Sequence, residues 1–516
     1  MYLGLDASTQ SISAVIIDPN TSAIIATESI NFGSELPQYS APSGFIPDGQ
    51  DGEVHTDPSM WLDALDLLLH RLNSNGADLS KIKTISGAGQ QHASVYLSEA
   101  FHSALETLDS RSSLSEQLKP TFTRTTSPIW MDSSTAEECA EITQQVPSIL
   151  EISGSVATMR FTGSQIRKFY KQDPDQYQKT DIIHLNSSFL SSIIAGSSSS
   201  IDTGDGAGMN LMDLATSTWH LGLLDATAPN LSDKLPPIQP AGTYISMISS
   251  YFVEKYGFSP DCQALSWTGD NPASLVGMGA ASIGKMVISL GTSDTLFSAI
   301  PEPVTDPNGY GHVFGNPIVP GGYMTLLCFS NGSLARERLK NDAQLSWTDF
   351  ETEALSETPI GNNGKLAAAF YAPETTPKLD SNNVHTNGWD FDTAPSSIKV
   401  RALLEGQFLN IRLHSKWMNI SPENILITGG ASANSGIAQT IANVFNAPTK
   451  RLASNASSVS VGAAIIAALS DGHDYEELTK QFCQTEEHAT APQNGAEAHT
   501  AQLREFDALI DSLVTE

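Results

Sequence analysis

Two segments of the sequence place a carboxylate beside a turn rich in hydroxyl groups. Asp6 ends an apolar run and precedes the turn 8–11 (STQS), while the turn 291–294 (GTSD) separates two runs of β-forming residues. The N–H and hydroxyl groups of such turns can hold phosphate oxygens, and a carboxylate such as Asp6 can orient a hydrated Mg²⁺. Ser, Thr and Asp are also common in turns that bind nothing. The two turns together favour a nucleotide site more than either does alone.

A third carboxylate, Asp270, lies in the segment TGDNP before an Ala- and Gly-rich helix. Asp270 or Asn271 could simply cap that helix, because proline is well tolerated at a helix start. The alternative is a general base. Phosphoryl transfer to a hydroxyl needs a carboxylate within hydrogen-bond reach of that hydroxyl, and little other covalent chemistry from the protein.

Two further segments offer polar groups for a small ligand. Gln91 and His92 follow a short strand, and α/β proteins bind ligands at strand ends, although a lone histidine is more often structural. Asp132 follows Trp130 and precedes a helix for which Ser134 and Glu137 predict a capping box. Asp132 could only favour that helix terminus, or, beside the indole, it could hold a polyol.

A glycine turn, 429–434 (GGASAN), follows a predicted buried strand. Its small residues would let the backbone approach a flat ring, with Asn434 available for hydrogen bonds. The turn matches neither the dinucleotide-binding glycine pattern nor a P-loop, so it is weak support by itself.

Composition narrows the classes of partner. The chain has 516 residues with 27 basic and 57 acidic side chains, a formal charge of −30, which argues against binding to nucleic acid or anionic membranes. Small anions remain open, because backbone N–H groups and a metal ion can hold them. The four cysteines show no metal-ligand spacing. Neither a secretory leader nor a run of about 18 apolar residues is found, so we expect a soluble cytoplasmic protein.

Strands that alternate with helices indicate an α/β architecture. The segments 2–18 and 286–300 both predict a strand, a turn and a second strand, which suggests two similarly built halves from a duplication. The alternative is that any large α/β protein contains several hairpins. Helices are predicted within 59–72, 134–145, 163–171, 400–417 and 501–514, a strand at 84–87, and surface connections at 32–56 and 196–205.

Taken in order, these segments resemble the FGGY carbohydrate kinases of the sugar kinase, heat-shock chaperone and actin superfamily. The resemblance covers almost the whole chain and rests on LGLDASTQ, GQQHASVY, IWMDSSTAEEC, FTGSQI, DGAGMNLMD, TGDNPASLVG, SLGTSDTLF, LLCFSNGSLARE, ALLEGQF and ILITGGASANSGIAQTIANVFNAP. It implies an α/β fold of two actin-like (ribonuclease H-like) domains with an interdomain cleft. We expect an N-terminal domain at 1–281, a C-terminal domain at 282–475 and an acidic helical tail at 476–516.

The resemblance also implies roles for individual residues. Asp270 matches the catalytic base, and Asp6 matches the Mg²⁺ position. The residues at sugar-contacting positions are Gln91, His92, Asp132, Asp270 and Asn271. The residues at ATP-contacting positions are Ser8, Thr9, Gly291, Thr292, Gly332, Gly430, Ala431 and Asn434. Many members carry glycine where this chain has Ser8, which puts the contacts of that loop in doubt.

Within the family, the motifs are most similar to the eukaryotic-type kinases that phosphorylate D-xylulose with ATP. Other sugars remain open: D-ribulose, L-xylulose, a pentitol or glycerol, because motifs do not position the hydrogen bonds that distinguish stereoisomers. A non-catalytic nucleotide- or sugar-binding sensor is the alternative of another class. The expected partners are the sugar and ATP, with neither nucleic acid nor membrane. Family members occur as monomers, dimers and larger assemblies, and among these we expect a homodimer.

Overall fold

The computed structural model describes residues 1–453 and 457–514. The strands in chain order are β1 Tyr2–Ala7, β2 Ser11–Asp18, β3 Ala23–Asn31, β4 His55–Thr56, β5 Thr84–Gly89, β6 Ser94–Leu97, β7 Ser127–Pro128, β8 Ile182–Leu185, β9 Ile201–Asp202, β10 Met212–Asp213, β11 Thr218–Trp219, β12 Ile238–Gln239, β13 Tyr244–Met247, β14 Gln263–Leu265, β15 Thr268–Gly269, β16 Met286–Leu290, β17 Asp294–Ile300, β18 His312–Gly315, β19 Tyr323–Phe329, β20 Ala367–Ala369, β21 Val384–Thr386, β22 Ile425–Thr428 and β23 Thr449–Arg451.

The α-helices alternate with these strands. In chain order they are α1 Phe32–Glu35, α2 Pro58–Ser74, α3 Ala100–Glu106, α4 Leu114–Leu118, α5 Ala136–Gln145, α6 Ile149–Ser153, α7 Thr162–Gln172, α8 Pro174–Lys179, α9 Asn186–Ala195, α10 Thr203–Ala207, α11 Leu221–Thr227, α12 Ser250–Tyr256, α13 Asp270–Gly277, α14 Ser333–Asp342, α15 Trp347–Leu355, α16 Ser396–His414, α17 Ser435–Phe445, α18 Ser458–Leu469, α19 Tyr475–Phe482 and α20 Ala498–Val514.

The chain forms two compact units that are not continuous in sequence. The first comprises 1–281, 313–323 and 454–484, and the second comprises 282–312, 324–453 and 485–516. These units differ from the domains expected from the sequence in two segments, since 313–323 and 454–484 belong to the first unit. The expected tail is likewise divided between the units. The domain boundaries expected from the sequence, at 281/282 and 475/476, therefore remain a prediction.

The main sheet of the first unit runs β13–β14–β5–β1–β2–β3, with β15 also pairing with β5. β1 is antiparallel to β2 and parallel to β5, so the hairpin predicted at 2–18 is confirmed. Both faces of β1 are buried, which fits its almost continuous apolar sequence. At its carboxyl end this strand carries Asp6.

Helix α18 packs on β1 and α13 more closely than any side chain would permit. A Cβ built at Gly4 would lie 2.1 Å from the carbonyl oxygen of Ser460, and one built at Gly462 would lie 1.9 Å from that of Ala273. At Gly277 the corresponding distance to the Ser458 oxygen is 1.8 Å. Glycine is therefore required at these three positions, where backbone meets backbone.

The sheet of the second unit contains the order β19–β17–β16–β22–β23. β16 is antiparallel to β17 and parallel to β22. This arrangement confirms the second predicted hairpin and repeats the relation of β1 to β2 and β5. The strand predicted before the glycine turn is β22, and α17 follows that turn, as expected.

The five predicted helices are confirmed, as α2, α5, α7, α16 and α20. The expected capping box was wrong: Thr135 occupies the N-cap position of α5, and no side chain caps that helix. Ser134 contacts Asp132 instead. The predicted surface connection at 196–205 was also wrong in its second half, because Asp202 and Asp205 are buried within β9 and α10.

Within residues 1–453 and 457–514, no helix has the length and apolar character needed to cross a membrane.

Candidate functional site

In the first unit, Asp6 lies buried at the end of β1 without a cationic partner among the described residues. Its two carboxylate oxygens accept hydrogen bonds from the hydroxyl of Ser8 at 2.8 and 2.9 Å. Burial raises the pKa of Asp6 to about 7, and the negative charge of Asp270 adds to this effect, whereas the hydroxyl donors oppose it. The Ser8 hydroxyl, which glycine would lack, is therefore used to stabilise the Asp6 carboxylate.

Thr9 is joined to the loop that precedes α5. The indole Nε1–H of Trp130 donates to its hydroxyl oxygen at 2.8 Å, and the Trp130 side chain is otherwise half-exposed. This contact fixes the turn that follows β1. The indole that lies beside Asp132 in the polyol alternative thus has a protein partner for its N–H.

Asp270 is the first residue of α13, and Gly269 rather than Asp270 or Asn271 occupies the N-cap position. One carboxylate oxygen, Oδ1, accepts from the backbone N–H of Asn271 at 2.8 Å, from its side-chain amide at 3.1 Å and from the N–H of Gln91 at 3.4 Å. None of the described residues donates to Oδ2. Burial raises the pKa of Asp270 to about 6, against the effect of these N–H donors. The side chain therefore has the properties of a base near neutral pH.

Gln91 and Asn271 join this acid in one hydrogen-bonded group. The Asn271 amide donates to the side-chain oxygen of Gln91 at 2.8 Å. A Cβ built at Gly269 would lie 2.9 Å from Gln91 Nε2 and 2.6 Å from Asp205 Oδ1, so no side chain fits at that position. The structure thus brings together Gln91, Asp270 and Asn271, three of the predicted sugar-contacting residues.

His92 lies in the left-handed region of backbone conformation, with a φ of 69°. A non-glycine residue with positive φ carries strain, which is often found at functional sites. Nδ1 of its ring lies 2.8 Å from the carbonyl oxygen of Gly208, so the Nδ1–H donates to that oxygen. The ring stacks on Phe161 with centroids 4.2 Å apart.

Arg160 is a neighbour of this group that the sequence analysis missed. Its guanidinium carbon lies 5.7 Å from the centroid of the Phe161 ring, on which His92 stacks. The available signal was a single basic residue directly before FTGSQI, which is too common a feature to identify a site.

Asp132 is buried, and its oxygens are occupied by protein donors. Oδ1 accepts from the Ser134 hydroxyl at 2.6 Å and from the Gln165 amide at 2.7 Å, and Oδ2 accepts from the N–H of Val54 at 3.0 Å. Burial alone would raise its pKa, but the donors, among them the His55 ring and Ser134, lower the pKa below its usual range. This arrangement favours a role in holding loops over direct contact with a sugar hydroxyl.

Asp205 is a second residue that the sequence analysis missed. It lies on α10, accepts a short hydrogen bond from the Ser187 hydroxyl and sits beside Gly269. Burial raises its pKa well above the usual range, and the charges of Asp202 and Asp270 act in the same direction. Asp205 was missed because the residues around it in the sequence are small and polar, which is the composition of a surface loop.

In the second unit, the turn between β16 and β17 packs against the loop that begins α14. The N–H of Ser333 donates to the carbonyl of Gly291 at 3.0 Å. A Cβ built at Gly332 would lie 2.7 Å from the backbone nitrogen of Asp294, so this approach requires glycine. Thr292 is exposed. Gly291, Thr292 and Gly332 are therefore brought together.

The glycine turn after β22 reaches the same end of this sheet. Gly429 has a φ of 86°, and its Cβ would lie 2.4 Å from the carbonyl oxygen of Leu290, the residue before Gly291. Gly430 faces open space, with no described atom within 4 Å of its Cβ position, and Ala431 follows it in a short 3₁₀ turn. The side-chain oxygen of Asn434 caps α17 by accepting from Ile437, which leaves its amide nitrogen as the group for a ligand.

Trp347 is an exposed aromatic residue near this turn that the sequence analysis also missed. It begins α15, one turn before Glu351. Glu351 accepts a short hydrogen bond from Ser435, which follows Asn434. The indole is half-exposed, which is unusual for so large an apolar ring.

Asp6 fits one position in a magnesium shell. Mg²⁺ usually keeps several waters and binds one or two carboxylates together with substrate phosphates. A buried carboxylate with a raised pKa and no cation partner is a group that such an ion would stabilise. The described residues contain no cluster of three or more His, Cys, Asp or Glu side chains that could hold a metal without a phosphate ligand.

Solved structures have the same fold. The xylulose kinase from Rhodospirillum rubrum aligns over 100% of this chain and 99% of its own with a TM-score of 0.83 at 20% identity. The xyloylose kinase from Brucella ovis gives 0.82 at 20% identity, with coverage of 100% and 99%. The predicted α/β fold is thereby confirmed.

Sequence comparison identifies the family. Residues 124–277 match the N-terminal domain of the FGGY family of carbohydrate kinases, and residues 286–470 match its C-terminal domain. A xylulose kinase of Mus musculus is 38% identical over 519 residues, which cover 98% of this chain and 93% of that protein. Xylulose kinase 2 of Arabidopsis thaliana is 40% identical over 491 residues, with coverage of 91% and 87%. The chain therefore belongs to the FGGY family of carbohydrate kinases.

Proposed function

We propose that this kinase transfers the γ-phosphoryl group of ATP to the terminal hydroxyl of D-xylulose, giving ADP and D-xylulose 5-phosphate. The observation that carries the proposal is the Asp270 carboxylate, in which one oxygen accepts from three N–H groups and the other has no donor among the described residues. The choice of sugar is supported by the names of the relatives from Mus musculus and Arabidopsis thaliana.

In the proposed reaction, Asp270 Oδ2 accepts the proton of the sugar hydroxyl as that oxygen attacks the γ-phosphorus. The bond from phosphorus to the oxygen of ADP breaks, and ADP leaves. A pKa of about 6 keeps this carboxylate ionised at neutral pH while it remains a stronger base than an exposed aspartate. The three donors on Oδ1 hold the side chain so that the other oxygen faces the substrate.

The sugar is held by the polar groups around this acid. Asn271 and Gln91 present amide groups, and the His92 ring is held beside them by its Nδ1 hydrogen bond to the Gly208 carbonyl. A site that satisfies each hydroxyl with a fixed partner discriminates strongly against a sugar that lacks one, because a buried polar group is then left unpaired.

Each unit, taken by itself, offers groups that we propose for nucleotide binding. In the first unit these are the N–H and hydroxyl groups of Ser8 and Thr9. In the second unit, Gly291, Thr292 and Gly332 offer backbone N–H groups for phosphate, and Trp347 with the 430–434 segment offers a flat surface and the Asn434 amide for a base. Mg²⁺ bound at Asp6 would neutralise charge on the phosphates.

The test is a panel of acceptors in an ADP-release assay with purified protein, ATP and Mg²⁺. We expect D-xylulose to give the largest kcat/KM, by at least about tenfold over D-ribulose, L-xylulose, xylitol and glycerol. A preference for glycerol or a pentitol would overturn the choice of sugar but leave the kinase assignment intact. ADP release that does not depend on any sugar, or no release at all, would overturn the proposed reaction.

A further inference from the structure

We propose that Arg336 is a positioning residue for the nucleotide, acting through Asp294 and Gln407 on the two segments that carry Gly291, Thr292 and Gly332. The inference rests on the proposed function of those segments. Arg336 lies on α14 and is too deeply buried to touch a ligand, with 0% of its surface exposed. Its effect must therefore pass through its neighbours.

The first neighbour is Asp294, which directly follows the turn 291–293. The guanidinium of Arg336 donates from Nη1 to Asp294 Oδ2 and from Nη2 to Asp294 Oδ1, both at 2.8 Å. Two parallel hydrogen bonds fix the angle between the partners as well as their distance. The orientation of Asp294, and with it the end of the turn, is set by α14.

The second neighbour is Gln407 on α16. Its side-chain oxygen accepts from Arg336 Nη1 at 3.0 Å, and its amide donates to the carbonyl oxygens of Asn331 at 2.6 Å and Gly332 at 3.2 Å. Arg336 Nη2 also donates to the Ser333 hydroxyl at 2.9 Å. One buried cation thus connects the β16–β17 turn, the loop before α14 and helix α16.

The packing of these segments leaves little freedom for alternatives. Gly332 approaches the Asp294 backbone so closely that a Cβ would lie 2.7 Å from its nitrogen. The two proposed phosphate-binding segments are therefore in direct contact, and in this proposal the Arg336 group sets their spacing. Apolar residues of similar volume can often replace a buried ion pair without loss of stability, but they cannot impose the geometry of paired hydrogen bonds.

A second buried arginine in the same unit provides a matched control. Arg401 on α16 is 3% exposed and pairs with Glu405, which is 1% exposed, at 3.5 Å. Its other hydrogen bonds go to the hydroxyl and carbonyl oxygens of Thr358. None of these groups belongs to a segment proposed to bind nucleotide. The two arginines share burial and an acidic partner, and they differ in what they hold.

The experiment compares Arg336→Lys with Arg401→Lys in the full chain. Lysine keeps the charge but cannot form the paired hydrogen bonds. We expect Arg336→Lys to raise the Kd for MgADP by calorimetry and the KM for MgATP by about tenfold, with the KM for the sugar changed less than about twofold. Arg401→Lys is expected to lower the melting temperature with both KM values and the Kd retained.

A second variant, Gln407→Met, removes the hydrogen bonds to Asn331 and Gly332 without leaving a buried charge unpaired. We expect this variant to raise the Kd for MgADP by about three- to tenfold. The inference is overturned if folded Arg336→Lys and Gln407→Met bind MgADP like the parent chain, or if Arg401→Lys weakens MgADP binding equally. Because the calorimetry needs no turnover, it separates the two proposals: absent sugar phosphorylation refutes the proposed function, whereas an unchanged Kd refutes only the role of Arg336.

Discussion

The hairpins β1–β2 and β16–β17 have the same topology, and each contains a buried aspartate. The two aspartates differ in their partners. In each, the first strand pairs antiparallel with the second and parallel with a later strand. Asp6 precedes its turn, and its hydrogen bonds within the part of the chain that the structure describes come from hydroxyl groups. Asp294 follows its turn and is paired with Arg336. A buried carboxylate that is paired with a cation can position its neighbours, whereas one that lacks a cation partner is available to a metal ion or a proton.

The largest effect is expected for Asp270, the proposed base. Asp270→Asn keeps the size of the side chain but cannot accept the sugar proton, so we expect kcat to fall by about 10²–10⁴-fold. The affinity for D-xylulose, measured by calorimetry, should change little. A kcat within tenfold of the parent value would remove Asp270 from the role of base.

The next effect concerns the paired acid. Asp294→Asn leaves the buried Arg336 without its counter-charge, and we expect a loss of about 3–5 kcal/mol in the free energy of unfolding by urea titration. A companion Asp294→Asn/Arg336→Met variant should recover part of this loss, since both charges are then gone. No recovery would mean that Asp294 contributes mainly through contacts other than this pair.

Asparagine in place of Asp6 should change the free energy of unfolding in the opposite direction. Asp6→Asn removes a buried charge that no cation compensates, so in metal-free buffer at pH 8 we expect unfolding to require about 1–3 kcal/mol more. This gain in the free energy of unfolding should become smaller as the pH is lowered towards 5. The same variant should have a kcat/KM for MgATP that is lower by about a hundredfold. If Asp6→Asn instead lowers the free energy of unfolding, the proposed difference between the two hairpins is wrong.

The pH dependence of turnover sharpens the assignment of the base. Because the pKa of Asp270 is raised to about 6, kcat/KM for the sugar should fall about tenfold per pH unit below that value. The sign for stability is opposite: the folded state holds this proton more tightly than the unfolded chain. Stability from this group is therefore present below pH 4 and lost as the pH rises to about 6, and Asp270→Asn should flatten that loss in urea titrations at several pH values.

The smallest effect is expected at Ser8. Ser8→Ala removes the hydroxyl that donates to both Asp6 oxygens, which raises the pKa of Asp6 further and should lower kcat/KM for MgATP by about three- to tenfold. Ser8→Thr retains a hydroxyl and is the matched control. Equal losses in both variants would point to backbone distortion of the turn as the cause.

Features encoded by local periodicity could be predicted from the sequence. Both hairpins and the sequence of β22, glycine turn and α17 follow from apolar runs interrupted by turn residues. The family resemblance supplied the candidates around Asp270, and Gln91 and Asn271 do lie beside it.

Features that depend on distant contacts could not be predicted. Asp132 is saturated by donors from Val54 and Gln165, which no local pattern connects to it. Asp205 lies in a stretch of small polar residues that resembles a surface loop, and its burial arises from tertiary packing. Arg336 lies in a charged run, ARERLK, that is typical of a solvated helix face, and only its pairing with Asp294 shows that it faces inward.

The close seating of α18 has a consequence for the chemistry. This helix approaches the strand that carries Asp6 and the helix that begins at Asp270 so closely that backbone meets backbone at three glycines. The absence of methyl groups at Gly4, Gly277 and Gly462 thus limits how far β1 and α13 stand from α18. We expect alanine at any of these positions to displace the strand or the helix that carries one of the two acids and to lower kcat, although none of the three glycines is proposed to contact a substrate.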